Sequence, residues 1–530
     1  MTAKYMLIRL SIFSQKVNIL GGFTAQKTSI SRSRTTGLDY PSDNIRTLNS
    51  ASSLDKGGTF GSKNQVGLLS YLGRLNYGYK NKYLLTASFR ADGSSYFGPG
   101  NKWGTFPSVS VGWIATEERF LQKVDWLSTL KFRASYGVSG NNRILDFGYL
   151  ELLFSGNYPL GAGTGTSVSG QVISPNIISN KDITWESTFQ SNFGIDLSII
   201  KNRFNVSVDV YKSKTDKLLL QQSTQIFTGV PLYWNNIGSL ENKGIELELS
   251  TVNIVKKSFK WSTSANISHT ANKILELGKE AYLRNQGERT EVYQNKVGAP
   301  LVQFYGFKTD GVWLSQAQID AAKADGLKSN ISTLFIPGGL KLVDINGDKI
   351  IDNDDRTIIG SPYPDFIWGL TNKVNFKAFD LSFTFQGAQG GQLVNGDPNY
   401  IEAKTKNRAY STNRWLSPMS PGDGKTPYAT NGFNWLLTDY VVEDASYQSL
   451  REINVGYTLP KSLTKRAKLT GLRVYFSGQN LIYHTAKGYR GLNPEGRSTT
   501  SAYNTALIDG YQRGSFPIPK TFLFGLDLNF

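Results

Sequence analysis

The sequence predicts an all-β fold: an antiparallel, up-and-down transmembrane β-barrel with long extracellular loops. Three observations predict it. The chain ends on an unbroken apolar stripe of period two. Segments of the same period recur along its length and carry charge on their second face. The connections between them alternate between short and long.

The closing segment reads FPIPKTFLFGLDLNF. Phe530, Leu528, Leu526, Phe524 and Phe522 are all apolar, and Asn529, Asp527, Gly525 and Leu523 lie between them. A strict period of two puts one set on each face of a strand. A lipid-facing strand of an outer-membrane barrel needs this pattern, with water or a plug on its other side. The five apolar residues are therefore read as a membrane-assembly signal on the last strand.

Similar segments occur upstream. LSYLGRLNYGY sets Leu69, Tyr71, Leu75, Tyr77 and Tyr79 against Ser70, Arg74, Asn76 and Gly78. KYLLTASFRAD sets Tyr83, Leu85, Ala87 and Phe89 against Thr86, Ser88, Arg90 and Asp92. LKFRASYGV sets Leu130, Phe132, Tyr136 and Val138 against Lys131, Arg133, Ser135 and Gly137. A dry sandwich could not bury those charges, whereas a wet lumen can hold them. The segments place about fourteen strands near 15–28, 66–79, 82–92, 106–116, 128–139, 187–198, 203–213, 244–251, 259–270, 364–374, 378–386, 447–458, 470–482 and 516–530.

Between these strands, short connections near 80–81, 117–127, 199–202, 252–258, 375–377 and 459–469 alternate with long ones. The long ones lie near 29–65, 93–105, 140–186, 214–243, 271–363, 387–446 and 483–515. Outer-membrane barrels have short periplasmic turns and longer extracellular loops. With the C-terminus in the periplasm, every long connection falls outside. Tyr79, Tyr83, Trp113 and Trp185 near strand ends suit interfacial aromatic girdles.

Composition narrows the alternatives. The 530 residues include no cysteine and two histidines, which removes disulfides, thiolate zinc sites and thiol catalysis. The net charge of +17 is scattered over turns and strand interiors, so no nucleic-acid partner is expected. Mean hydropathy is −0.30, an uninformative value for a barrel whose strands are half polar. No stretch approaches the roughly 20 apolar residues of a spanning helix. The start, MTAKYMLIRLSIFSQ, is a poor signal peptide, because Arg9 and Ser11 interrupt its apolar run and no small-residue cleavage site follows. The chain therefore reads as the C-terminal part of something longer.

In order along the chain, FRADGSSYFGPGNKWGTFPSVSVGW, LKFRASYGVSGNN, NIGSLENKGIELELS, DINGDKIIDNDDRTIIGSPYPDFIWGLTN, LREINVGYTLP, LRVYFSGQNLI and the closing segment carry a resemblance. The chain resembles the C-terminal barrel of the SusC/RagA-type TonB-dependent outer-membrane transporters of the Bacteroidetes. The resemblance implies import of glycans, oligosaccharides or peptides, driven through the TonB complex. It also implies a SusD-like surface lipoprotein as a lid and a plug inside the barrel. Barrels of plugged transporters have about 22 strands. Residues 1–530 thus read as one partial barrel domain, with plug and N-terminal strands absent and with no transport expected from the isolated piece. The expected location is the cell outer membrane, in contact with its lipid and its assembly machinery.

No cofactor is required by this reading, and one metal site is a candidate. In DINGDKIIDNDD, the residues Asp344, Asn346, Asp348, Ile350, Asp352 and Asp355 fall at positions one, three, five, seven, nine and twelve of an EF-hand-like Ca²⁺ loop. Lys349 stands where such loops have glycine, and Asp355 reaches less far than glutamate. A structural Ca²⁺ there would stiffen an extracellular loop. WLSQAQIDAAKADG predicts a short helix with Ser315 and Gln318 as a capping box and Gly326 as its stop. GAGTGT at 161–166 lacks the ending of a phosphate loop. His269 and His484 have no metal-ligand spacing, and Trp313, Tyr400, Trp415 and Trp435 are loop aromatics that suit either sugar stacking or packing. No enzyme constellation emerges. The alternatives to an importer are a self-closed fourteen-strand pore, a structural or adhesive surface barrel, and a soluble secreted β-rich glycan-binding protein.

Overall fold

The computed structural model describes residues 1–530 except 1, 13, 46, 143–147, 152, 160–166, 174–176, 224–231, 288–290, 332–333, 398–412, 430–435, 466–467 and 499–504. Fifteen strands follow one another in a single sheet, each next to its sequence neighbour in the path. They are β1 Thr2–Ile12, β2 Gln15–Arg34, β3 Phe60–Tyr79, β4 Tyr83–Ser94, β5 Trp103–Ile114, β6 Leu127–Asn141, β7 Glu186–Ile199 and β8 Phe204–Ser223. β9 Leu232–Lys256, β10 Phe259–Leu277, β11 Phe366–Phe376, β12 Phe379–Gln389, β13 Tyr447–Thr458, β14 Gly471–Thr485 and β15 Thr521–Asn529 complete the path.

All fourteen predicted strands are present, and β1 is an addition. The segment read as a failed signal peptide pairs with β2 from Ile12↔Gln15 to Thr2↔Ala25. The interruption by Arg9 that spoils a signal peptide is harmless in a strand, where alternate side chains leave on opposite faces. β1 and β15 are the ends of the path. Among the described residues the path holds fifteen strands, one more than the sequence predicts.

Several strands are longer than their apolar stripes. β2 and β3 are paired without a break from Gln15↔Tyr79 to Arg34↔Phe60. Twenty residues span about 65 Å at strand rise, against an apolar band of about 25 Å. The sheet therefore projects well past the membrane. β8 and β9 extend in the same way, so most of the loop expected at 214–243 is strand. This also breaks the strict sorting of connection lengths. The 95–102 connection is shorter than those at 115–126 and 459–470, because extended pairing consumes loop residues. The tight turns keep their chemistry: Lys80 and Asn81 both have positive φ (51° and 54°), in a β-turn closed by the Lys82 amide donating to the Tyr79 carbonyl at 2.9 Å.

Internal packing divides the chain into two units. The first comprises Met1–Glu117, Arg133–Asn192 and Ser213–Ser239. Its small core joins Phe97, Phe106, Ile183 and Trp185. Trp185, expected in a girdle, is buried there instead, its ring 5.2 Å from both Phe97 and Phe106 and its indole N–H donating to the Lys102 carbonyl at 3.0 Å. Tyr79, Tyr83 and Trp113 do form a strand-end cluster, with half-buried Tyr79 stacked on exposed Tyr83 at 6.3 Å and Trp113 opposite Tyr83.

The second unit comprises Glu118–Phe132, Phe193–Lys212 and Leu240–Phe530. Its largest apolar core lies in the loops. Tyr293, Val302 and Phe304 come from the 278–365 connection, Val394, Leu437 and Val441 from 390–446, and Ile508 and Tyr511 from 486–520. Three loops far apart in sequence thus share one dry interior. A second core of Phe307, Leu334, Leu342 and Ile351 lies within the first of them. The 278–365 loop also holds helix α1, Gln316–Ala324. The Ser315 side chain accepts from the Gln318 amide, while the Gln318 side chain caps the Leu314 amide, one residue off the expected box. Gly326 (φ 97°) ends the helix, with its amide and that of Leu327 returning to Lys323 and Ala322, the pattern of a Schellman stop.

Candidate functional site

The terminal strand shows how the wall is built. β15 pairs with β14 so that Phe524 faces Phe476 and Leu526 faces Val474. Phe522, Phe524, Leu526, Leu528 and Phe530 all leave on one face and are exposed, Phe524 at 80% and Phe530 at 87%. On the other face, Arg473 bridges Asp527 at 3.0 Å and Asp380 at 2.7 Å. The alternation read in the sequence is thus literal, with an aromatic–aliphatic skin on one side and a charge-paired lattice on the other.

The polar face carries a cavity of about 720 Å³ within the second unit. Asp196, Ser207, Glu248, Asn266, Thr384 and Gln386 line it from five strands and more. Ser207 donates to Asp196 at 2.9 Å, and the Thr371 and Thr384 hydroxyls share a bond at 2.9 Å. Polar side chains thus alternate on these walls with apolar ones such as Leu197 and Val206.

A cluster around Arg451 fastens the loop layer to the wall. Arg451 sits at a bulge in β13 between Leu450 and Glu452. It pairs with Glu495 of the last loop and donates to Gln386 and Asn480 at 3.2 Å each. The Tyr447 and Tyr483 hydroxyls, on stacked rings 5.4 Å apart, each donate to Glu495 at 3.0 Å. A second clasp joins two loops. Arg490 bonds Glu443 at 2.7 Å, Asn395 donates to the same carboxylate at 2.9 Å, and short parallel pairing links Val394 to Tyr511. Sequence reading missed both clasps, because Glu495 and Glu443 belong to no motif. The one available signal was an arginine inside a period-two strand.

The predicted calcium loop folds as a tight chain of local hydrogen bonds. Asp344 accepts from the Gly347 and Lys349 amides at 2.7 and 2.8 Å, and Asp348 from Ile350 at 2.7 Å. Asn346 accepts from the Asp348 amide at 2.9 Å, and Asp352 from Asp354 at 2.8 Å. Asp355 is fully buried and accepts from Ile345 and Asp352. Lys349, at the glycine position, does adopt positive φ (64°). Its ammonium donates to the Asp325 carbonyl at 2.7 Å, at the C-terminus of α1, where a cation is favoured. Among the described residues no group of three or more His, Cys, Asp or Glu side chains is placed to hold a metal ion. The donor set has the oxygen chemistry that Ca²⁺ takes, and in this structure its carboxylates accept from the loop's own amides.

Of the loop aromatics, Trp313 is core, packed on Phe335 at 5.8 Å, and Trp415 donates its indole N–H to the Leu314 carbonyl at 3.0 Å. Tyr400, Trp435 and GAGTGT lie outside the described residues. His269 bonds the Asp365 carbonyl and His484 faces Gln448 across β13 and β14, so neither joins the other.

Comparison with known proteins agrees with this architecture. The family described as "TonB dependent receptor-like, beta-barrel" matches residues 10–481. A TonB-dependent receptor of Formosa agariphila is 32% identical over 98% of this chain and 52% of its own length. The TonB-dependent receptor SusC of Bacteroides thetaiotaomicron is 32% identical over 87% of this chain and 44% of its own. The structure of the RagAB peptide transporter superposes with a TM-score of 0.77, at 22% identity, over 99% of this chain and 55% of that one, which speaks to fold. The chain spans about half the length of the curated relatives it matches. The chain belongs to the TonB-dependent receptor-like β-barrel family of the outer membrane.

Proposed function

We propose that this chain forms the wall and extracellular loop layer of an outer-membrane importer for oligosaccharides or peptides. TonB supplies the energy, and a SusD-like lipoprotein closes over the loops. The observation that carries this reading is the shared core of three long loops, centred on Phe304 and Tyr511. An adhesin or passive pore has no need of a dry, cross-braced platform, whereas a lid needs a firm seat. Deleting the gene in its host and measuring uptake of labelled oligosaccharides and peptides tests it. Loss of one uptake, reproduced by dissipating the proton gradient, is the expected result. Unchanged uptake of both, or gradient-independent conductance of the purified protein in planar bilayers, would replace the importer with another barrel function. The Phe522–Phe530 stripe serves assembly in this reading. Deleting Phe530 should leave protein stranded in the periplasm, and normal membrane insertion would count against it.

A further inference from the structure

Tyr305 and Phe307 are buried in the 278–365 loop, two residues apart on extended backbone. Side chains at that spacing leave on one side, about 7 Å apart. Each ring carries an arginine. The Arg284 guanidinium lies 4.4 Å from the Tyr305 ring centre and 4.9 Å from that of Tyr282, and it donates to the Tyr305 hydroxyl at 2.8 Å. The Arg356 guanidinium lies 5.1 Å from the Phe307 ring centre. The two cations therefore stand side by side on an aromatic floor.

Several other arginines of this unit have counter-charges. Arg451 has Glu495, Arg473 has Asp380 and Asp527, and Arg490 has Glu443. Among the described residues, neither Arg284 nor Arg356 pairs with a carboxylate. Arg356 Nε is moreover buried with no hydrogen-bond partner. Burial lowers the Arg356 pKa most, and the Arg284 cation lowers it further, against an opposing effect of Tyr305. A partly desolvated cation beside a second cation is costly, and an oxyanion accepting from the guanidinium forks would offset that cost.

We propose that Arg284 and Arg356 form an oxyanion-binding site in the extracellular loop layer, which receives a carboxylate or sulfate group of the imported molecule. The source of the anion rests on the importer reading, while the chemistry of the site does not. The test is calorimetric titration of the full-length protein, purified in detergent, with triglutamate, its neutral counterpart triglutamine, and inorganic sulfate. Wild type should bind triglutamate, with sulfate competing. Arg284→Gln and Arg356→Gln should each weaken binding at least about tenfold, and triglutamine should not distinguish the variants. Arg356→Lys keeps the charge without the fork and should fall between. Arg284→Gln changes an exposed residue, and protease resistance of the loops confirms that each variant is folded. Equal triglutamate affinity in wild type and the double Gln variant overturns the site. So does a double variant that still binds triglutamate but no longer co-purifies with a lipoprotein lid. Binding that depends on both arginines in a protein that imports nothing upholds the site and removes only the importer reading.

Discussion

Phe524 and Phe304 are the same side chain in opposite surroundings. Phe524 stands on β15 with 80% of its surface exposed, and Phe304 is wholly buried in the loop core at 0%. Both belong to the second unit. The wall turns its apolar residues outward and draws order from hydrogen-bonded pairing and from charge lattices such as Asp380–Arg473–Asp527. The loop layer does what a water-soluble domain does, burying Tyr293, Phe304, Leu393 and Ile351. The apolar face of the wall needs lipid to be stable, whereas the loops supply their own interior. Their responses to substitution should therefore separate cleanly.

The largest separation is expected from Phe304→Ala. It should remove about 3–5 kcal/mol from the loop layer. Limited proteolysis should cut the extracellular loops while heat-modifiable migration of the barrel persists. Loss of both together would mean that wall and loops are one cooperative unit. Next is Glu443→Gln, which strands Arg490 in a half-buried clasp. Breaking such a pair costs about 3–5 kcal/mol when fully buried and less here, because Arg490 keeps its bond to the Tyr440 carbonyl. The same proteolysis should report it. Leu526→Arg probes the opposite region. A cation on the lipid face costs about 2–4 kcal/mol at the bilayer midplane and less towards its edges, and it should reduce membrane insertion without touching loop proteolysis in the protein that does insert.

Smaller effects should come from charge. The hydrogen bond from Lys341, and then its positive charge, hold Asp310 below its ordinary value of 3.8. A carboxyl depressed in the fold stabilises above its unfolded pKa, and the benefit is lost as pH falls through the folded one. Asp310 is largely exposed, so the pair is worth under about 1 kcal/mol. Between pH 5 and pH 3, Asp310→Asn should flatten the acid response of loop proteolysis slightly. The smallest effect is expected from calcium removal. A chelator should leave loop proteolysis unchanged, since the Asp344–Asp355 loop is already held by its own amides. A clear calcium-dependent protection would establish the metal site.

Legibility in the sequence followed the same division. Every wall strand with an apolar stripe was found, because period two is written locally, residue by residue. β1 escaped because Leu7 and Ile8 are consecutive apolar residues that blur alternation and mimic a leader. The helix and its Gly326 stop were legible for the same local reason. The loop cores were not. Nothing in the neighbourhood of Phe304 announces that it will meet Val394 and Tyr511, and Trp185 looked like any strand-end aromatic. The Arg451–Glu495 clasp and the Arg284–Arg356 pair join residues separated by dozens of positions.

The sequence by itself determined that this is a barrel wall, which face of β15 meets lipid, and where its turns lie, since these depend on side-chain alternation and on backbone conformations such as the positive φ at Lys80 and Asn81. The tertiary structure alone decided that three loops form one platform, that Lys349 turns back to cap α1, and that two arginines share an aromatic floor with no counter-charge among the described residues. Contacts across long stretches of chain are set by closure and packing in three dimensions, and a linear pattern carries no record of them.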